Sequence, residues 1–167
     1  MILIYEFNRT MNCNFYTPLL ITTKLRNNVN RNGSIVIISS TDAYFGAFLS
    51  MSYSISNSAL LSLVKCLSVN YGEKDVRVNS VAPGVIDTCM NTPENVILAP
   101  CFTPISRVGQ PSDVASVVYF FASDEAGFIS GENITIDGGY CNASILLKSE
   151  ADPAFSCSLR RFVHDKL

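Results

Sequence analysis

The chain has 167 residues, 48% of them apolar and 16% charged, and its 12 Lys and Arg against 14 Asp and Glu leave a net charge of -2. That length supports one domain with a sizeable core and is short for two. The charge excludes a broad basic surface for nucleic acid or anionic lipid, and no apolar run is long enough to span a membrane.

The first five residues are apolar but stop at Glu6, without the basic start and longer apolar core of a signal peptide. Six cysteines at 13, 66, 89, 101, 141 and 157 form no C-x-x-C pair, which predicts free thiols in a reducing compartment. The cytosol is the expected location, and the terminal His-Asp-Lys-Leu falls short of a retrieval signal. The only histidine, His164, has no partner histidine, so no metal site is expected.

Residues 7–28 read as a helix, with Phe15, Leu19, Leu20 and Leu25 at helical spacing and Pro18 as a point of kinking. Asn-Arg-Asn-Gly at 30–33 is a turn signal, and 34–39 is a β-branched run that predicts a strand buried on both faces of a parallel sheet. A second helix is expected over 51–71, with Leu60, Leu63, Val64, Leu67 and Tyr71 as its apolar stripe and Gly72 closing it. Residues 76–81 form the next strand, ended by Ala82-Pro83-Gly84.

The segment 88–110 carries three prolines and is expected to be an irregular loop over a site. Pro111 and Asp113 open a third helix to about 122, and 134–136 is a last short strand before Gly138-Gly139. Helices alternating with three recognisable strands predict an α/β fold, a partial Rossmann-like parallel sheet with flanking helices. The domain spans 6–140, and the polar tail 141–167 reads as a loosely ordered extension.

Chemistry is suggested by Ser40 and Tyr53, thirteen positions apart. Interconverting an alcohol and a carbonyl requires a proton to move at oxygen while a hydride moves at carbon. A tyrosine hydroxyl ordinarily ionises near pH 10, so it needs a nearby cation to serve near neutrality. A lysine one helical turn later would supply that charge.

The stretch 38–57, Ile-Ser-Ser-Thr-Asp-Ala-Tyr-Phe-Gly-Ala-Phe-Leu-Ser-Met-Ser-Tyr-Ser-Ile-Ser-Asn, resembles the active-site segment of the short-chain dehydrogenase/reductase family. Three further segments stand in register with that family. They are Asn79-Ser80-Val81-Ala82-Pro83-Gly84-Val85-Ile86-Asp87-Thr88, then 107–115, then 121–139 with its Ile136-Asp137-Gly138-Gly139 close. The resemblance covers about 6–140 and excludes coincidence.

It implies an oxidoreductase using NAD or NADP on a small-molecule alcohol or carbonyl. Tyr53 would be the acid/base and cofactor-ribose neighbour, Ser40 the substrate-oxygen anchor, and Asn14 a water-holding group. Pro83, Gly84, Ile86 and Thr88 would line the nicotinamide site. The resemblance also implies packing of helices 7–28 and 51–71 against a partner subunit, that is, a homo-oligomer.

Two departures stand out. Asn57 occupies the position of the expected lysine and is neutral; a cation at about 4 Å would be worth roughly 4 kcal/mol at an effective dielectric near 20, or about three pKa units. No subset of the nine glycines has the spacing of a phosphate-cradling turn. The chain therefore reads as the part of the fold that follows the first cofactor-binding half, inactive or nearly so as a free-standing polypeptide. Two other readings stay open: a non-catalytic interaction or dimerisation protein, and the product of a split or incompletely read gene.

Overall fold

A computed structural model of the chain describes residues 4–46 and 50–143. The expected tail lies outside the described residues from 144 onward, as do His164 and Cys157. Three parallel strands form the sheet: β1 (Ser34–Ile38), β2 (Arg77–Pro83) and β3 (Asn133–Ile136), in the order β1-β2-β3. Ser34 pairs with Arg77 and Ile38 with Val81, while Ser80 pairs with Asn133 and Pro83 with Ile136. The predicted α/β class with three strands is the observed one.

The first predicted helix begins earlier and ends sooner than its sequence suggests. It comprises α1 (Ile4–Met11) and α2 (Thr17–Lys24), joined by a wide π turn over Asn12–Tyr16. Across that turn the Thr17 N–H reaches back five residues to the Asn12 carbonyl. Pro18 has no N–H to donate to Asn14, and its ring would press on that carbonyl; widening the turn just upstream absorbs both problems. Phe15 and Leu19 pack on the core, whereas Leu20 and Leu25 are about half exposed, 51% and 49%, so two of the four predicted stripe residues face solvent.

Helix α3 (Met51–Tyr71) follows the expectation closely. All five predicted stripe residues, Leu60, Leu63, Val64, Leu67 and Tyr71, are buried, and they pack with Ile37 of β1, Val78 of β2 and Val76 just before β2. The Tyr71 hydroxyl donates to the Thr22 carbonyl and ties the end of α3 to α2. Gly72 does not end the helix in a left-handed conformation. It stays right-handed at φ -57, the chain continues through a tight turn over Gly72–Lys74, and Asp75 takes the left-handed position at φ 56. A short polar side chain tolerates that region, and the Asp75 carboxylate is ion-paired with Arg31 at 2.7 Å.

On the opposite sheet face, α5 (Pro111–Ala122) packs Phe121, Val114, Val117 and Val118 against Val36, Val81, Ile134 and Ile136. Its start is as read: Pro111 in the first turn, and the Asp113 carboxylate accepting from the Gln110 N–H at 2.7 Å. Arg107 donates to both oxygens of Asp113, at 2.6 and 2.9 Å. That guanidinium and the Gln110 N–H hold the Asp113 carboxyl well below the usual range, at about 2. At the other end of α5, Arg77 donates to the carbonyls of Phe121 and Ser123, placing a cation on the helix C-terminus.

Two strand expectations need correction. β1 is not buried on both faces: Ile37 is, but Ile38 is 52% exposed. The cause is its place at an edge of the described sheet, with β2 on one side only. β2 is also longer than read and includes Ala82 and Pro83. Pro83 is tolerated because the Gly84 N–H bonds to Ile136 on the β3 side, which turns the position of the missing Pro83 N–H toward the side where β1 has already ended.

The segment 88–110 is not irregular throughout. It contains α4 (Pro93–Phe102), which begins where the Thr92 side chain accepts from the Asn95 N–H, with Pro93 in the first turn. Pro100 falls near its C-terminal end, where one missing helix bond costs least. Reading prolines only as breakers hid a helix whose prolines sit at its two ends.

Candidate active site

The C-terminal ends of β1 and β2 open into a cavity of about 530 Å³. Parallel α/β sheets place ligand crevices at this edge, because the strand ends diverge into loops there. Ser40 follows β1 directly, almost buried, in extended backbone at φ -151. Its Oγ accepts from the Asp42 N–H at 3.2 Å, which starts the tight turn Thr41–Ala43. Tyr53 reaches the same cavity from the first turn of α3, and Pro83, Gly84, Ile86 and Thr88 line it from the loop after β2.

The loop is held by its own bonds. The Asn91 amide donates to the Ile86 carbonyl at 2.8 Å, while Thr88 approaches the same oxygen only at 3.5 Å. Ile86 also forms a bridge with Gly109, and Asp87 N–H donates to the Gly109 carbonyl. The glycines here answer to protein neighbours. A Cβ on Gly84 would stand 2.9 Å from that of Asp137, and one on Gly109 would meet the Ile86 side chain and, at 3.1 Å, the Val85 carbonyl. Both are close-packing positions.

Asn14 and Asn57 do not line this cavity. They border a smaller one of about 290 Å³ with Cys13, Ile38, Tyr53 and Met90, so Tyr53 separates the two. The Asn14 amide donates to Ser56 Oγ at 3.2 Å, and Ser56 Oγ donates to the Tyr53 carbonyl at 2.9 Å. Asn57, only 3% exposed, turns its amide back to the same Tyr53 carbonyl at 3.0 Å. The Asn57 carbonyl accepts from Ser39 Oγ at 3.3 Å. The side chain at 57 is thus spent on its own helix and carries no charge toward the tyrosine hydroxyl.

Ser40, Tyr53, Pro83, Gly84, Ile86 and Thr88 are therefore brought together, with Asn14 and Asn57 behind them. The sequence reading missed Asp42, Met90, Asn91, Val114 and Tyr140, which also line the cavity. Asp42 had a signal, a charged residue in the turn after a strand that ends in a candidate site. Tyr140 follows Gly138-Gly139, both left-handed at φ 63 and 88. Next to it, burial together with the Asp137 carboxylate pushes the Cys141 thiol up to about 12, so it is no ready nucleophile. Burial pushes the Asp137 carboxyl up, but hydrogen bonds from Cys141 and the Gly139 N–H outweigh it and hold it below the usual range.

The arrangement places two hydroxyl-bearing residues, Ser40 and Tyr53, on the wall of one mostly apolar cavity. For a nicotinamide dinucleotide the fit is split. The 83–88 loop lines one side of the cavity, but no subset of the nine glycines has the spacing of a phosphate-cradling turn for the pyrophosphate.

Residues 4–141 match the family model described as enoyl-(acyl carrier protein) reductase. Among curated relatives, versicolorin reductase stcU of Emericella nidulans is 36% identical over 150 residues, covering 80% of this chain and 57% of that protein. Protein FixR of Bradyrhizobium diazoefficiens is 34% identical over 133 residues, 78% of this chain and 48% of that protein. The 3-oxoacyl-[acyl-carrier-protein] reductase FabG of Thermotoga maritima is 38% identical over 112 residues, 65% of this chain and 46% of that protein. The chain spans about half the length of these relatives. A solved short-chain dehydrogenase/reductase from Brucella melitensis, titled glucose/ribitol dehydrogenase, superposes with a TM-score of 0.78 at 32% identity, over 81% of this chain and 56% of that one.

Proposed function

We propose a function that starts from one fact: the chain belongs to the short-chain dehydrogenase/reductase family. The cavity at the ends of β1 and β2 is the alcohol/carbonyl site of an NAD(P)-dependent oxidoreductase. Ser40 Oγ holds the reacting oxygen and the Tyr53 hydroxyl exchanges a proton with it. Asn14 acts behind Tyr53 through Ser56. The dinucleotide, when bound, supplies or removes the hydride, and its nicotinamide would rest against Pro83, Gly84, Ile86 and Thr88. These 167 residues have no glycine spacing that would cradle its phosphates.

As a free-standing polypeptide the chain is inactive or nearly so. The observation that carries this is Asn57: a buried neutral amide, bonded to its own helix, stands where a cation would be needed to make Tyr53 an effective acid/base. The absent cradle points the same way. Titrating the purified 167-residue chain with NADH and NADPH, followed by nicotinamide fluorescence, should give no saturation at micromolar concentrations. Micromolar binding would overturn the claim that a cradle is required.

A second reading, association through the first helices, is favoured by Tyr16, Leu20, Ile21 and Leu25, all 47% exposed or more. A homo-oligomer or a protein partner would cover them. A monomer stable to dilution in size-exclusion chromatography with light scattering would sink this reading.

A further inference from the structure

Among the described residues, one that is charged at neutral pH lines the cavity that contains Ser40 and Tyr53, namely Asp42. The rest of the described lining is hydroxyl, amide, backbone or apolar. Asp42 is only partly exposed, and its backbone is tied to the site, since its N–H donates to Ser40 Oγ. Asp42 thus lies two residues along the chain from Ser40, on the wall of the same cavity.

That carboxylate is poorly occupied by the protein. The ion pairs among the described residues are Arg26–Glu73, Arg31–Asp75 and Arg107–Asp113, none of which includes it. It accepts no backbone N–H among the described residues, so it does not serve to cap the turn it belongs to. The donor facing it is Ser50 Oγ, at 3.5 Å, the outer limit of a hydrogen bond. The Cys141 thiol feels its charge from the other side, along with that of Asp137. A carboxylate drawn partly out of water beside an apolar cavity is costly unless something with a donor meets it.

We propose that Asp42 sets the substrate class of this site: an alcohol or carbonyl compound that also carries a protonated amine, whose cation meets Asp42 while its oxygen meets Ser40 and Tyr53. Compounds bearing a carboxylate or phosphate at that end are rejected by like charge. This deepens the reading of the cavity as an alcohol/carbonyl site and rests on it.

The test uses the whole 167-residue chain and three matched probes: cyclohexanol carrying an aminomethyl, a methyl or a carboxylate group at C4. Affinities are measured by ligand-observed NMR titration. The aminomethyl compound should bind about tenfold more tightly than the methyl compound, the worth of one charge-assisted hydrogen bond, and the carboxylate more weakly than either. Asp42→Asn should abolish the ranking of the three compounds, and Asp42→Ser should do the same. Tyr53→Phe should weaken all three alike. Binding without charge preference, or a preference that survives both Asp42 variants, overturns the role of Asp42 and leaves the cavity reading standing. Failure of all three probes to bind overturns both.

Discussion

The start of α3 and the rest of it are comparably hidden from water, yet they bury opposite kinds of side chain. Ser54, Ser56 and Asn57 are at most 7% exposed, as are Leu60, Leu63, Val64 and Leu67. The apolar portion repeats at helical spacing and packs against β1 and β2, which is the arrangement that stabilises most helices in globular proteins. The polar portion breaks that rule beside Tyr53. Two of its three side chains satisfy themselves on the Tyr53 carbonyl, and Ser54 Oγ is buried with no hydrogen-bond partner among the described residues. The apolar rule that holds the rest of α3 is thus broken next to Tyr53, and broken local rules are expected at functional or strained positions.

The comparison breaks first if the apolar portion is not where the stability lies. Leu60→Ala should cost about 3 kcal/mol by chemical denaturation, within the 2–5 kcal/mol expected for a cavity left by a buried leucine. A loss below about 1 kcal/mol would mean that α3 is loosely packed. Ser54→Ala tests the polar portion with the opposite sign. Removing an unpartnered buried hydroxyl and adding the best helix former should stabilise the chain by about 0.5–1 kcal/mol in the same denaturation experiment. Destabilisation would show that Ser54 has a partner after all.

The smallest effect is expected at the start of α5, whose exposed ion pair serves as a contrast to both. The Asp113 carboxyl is depressed to about 2 by Arg107 and the Gln110 N–H, so its contribution is present above its unfolded value near 4 and is lost as pH falls toward 2. The thermal stabilities of the wild type and Asp113→Asn should therefore differ at neutral pH and converge between about pH 4 and pH 2. A gap that persists below pH 2 would assign the difference to something other than this charge.

Much of the architecture could be read from local pattern. The stripe of α3 and the Pro111–Asp113 start of α5 rest on spacing and capping, which act within one or two turns. Where local pattern failed, the deciding neighbour lay far along the chain. Phe15, Leu19, Leu20 and Leu25 all fit a helical repeat, and only the packing of Phe15 and Leu19 on the core under α3 decides which of them are covered. β1 has the composition of a fully buried strand, but its burial depends on what lies beside it in the sheet. Gly72 reads as a helix stop, but the left-handed residue is Asp75, three positions later, after a tight turn that the helix signal does not specify.

By itself the sequence determined the α/β class, the family, and the six residues that meet at the strand ends, because motif spacing survives as spatial proximity when strands are parallel. It also determined that position 57 carries no charge. Only the tertiary structure decided that the Asn57 amide turns back on its own helix, that Gly84 and Gly109 answer to Asp137 and Ile86, and that Asp42 is the one charged residue among the described residues lining the cavity. Hydrogen-bond partners and solvent access are properties of three-dimensional neighbourhoods, and residues distant in the chain supply them.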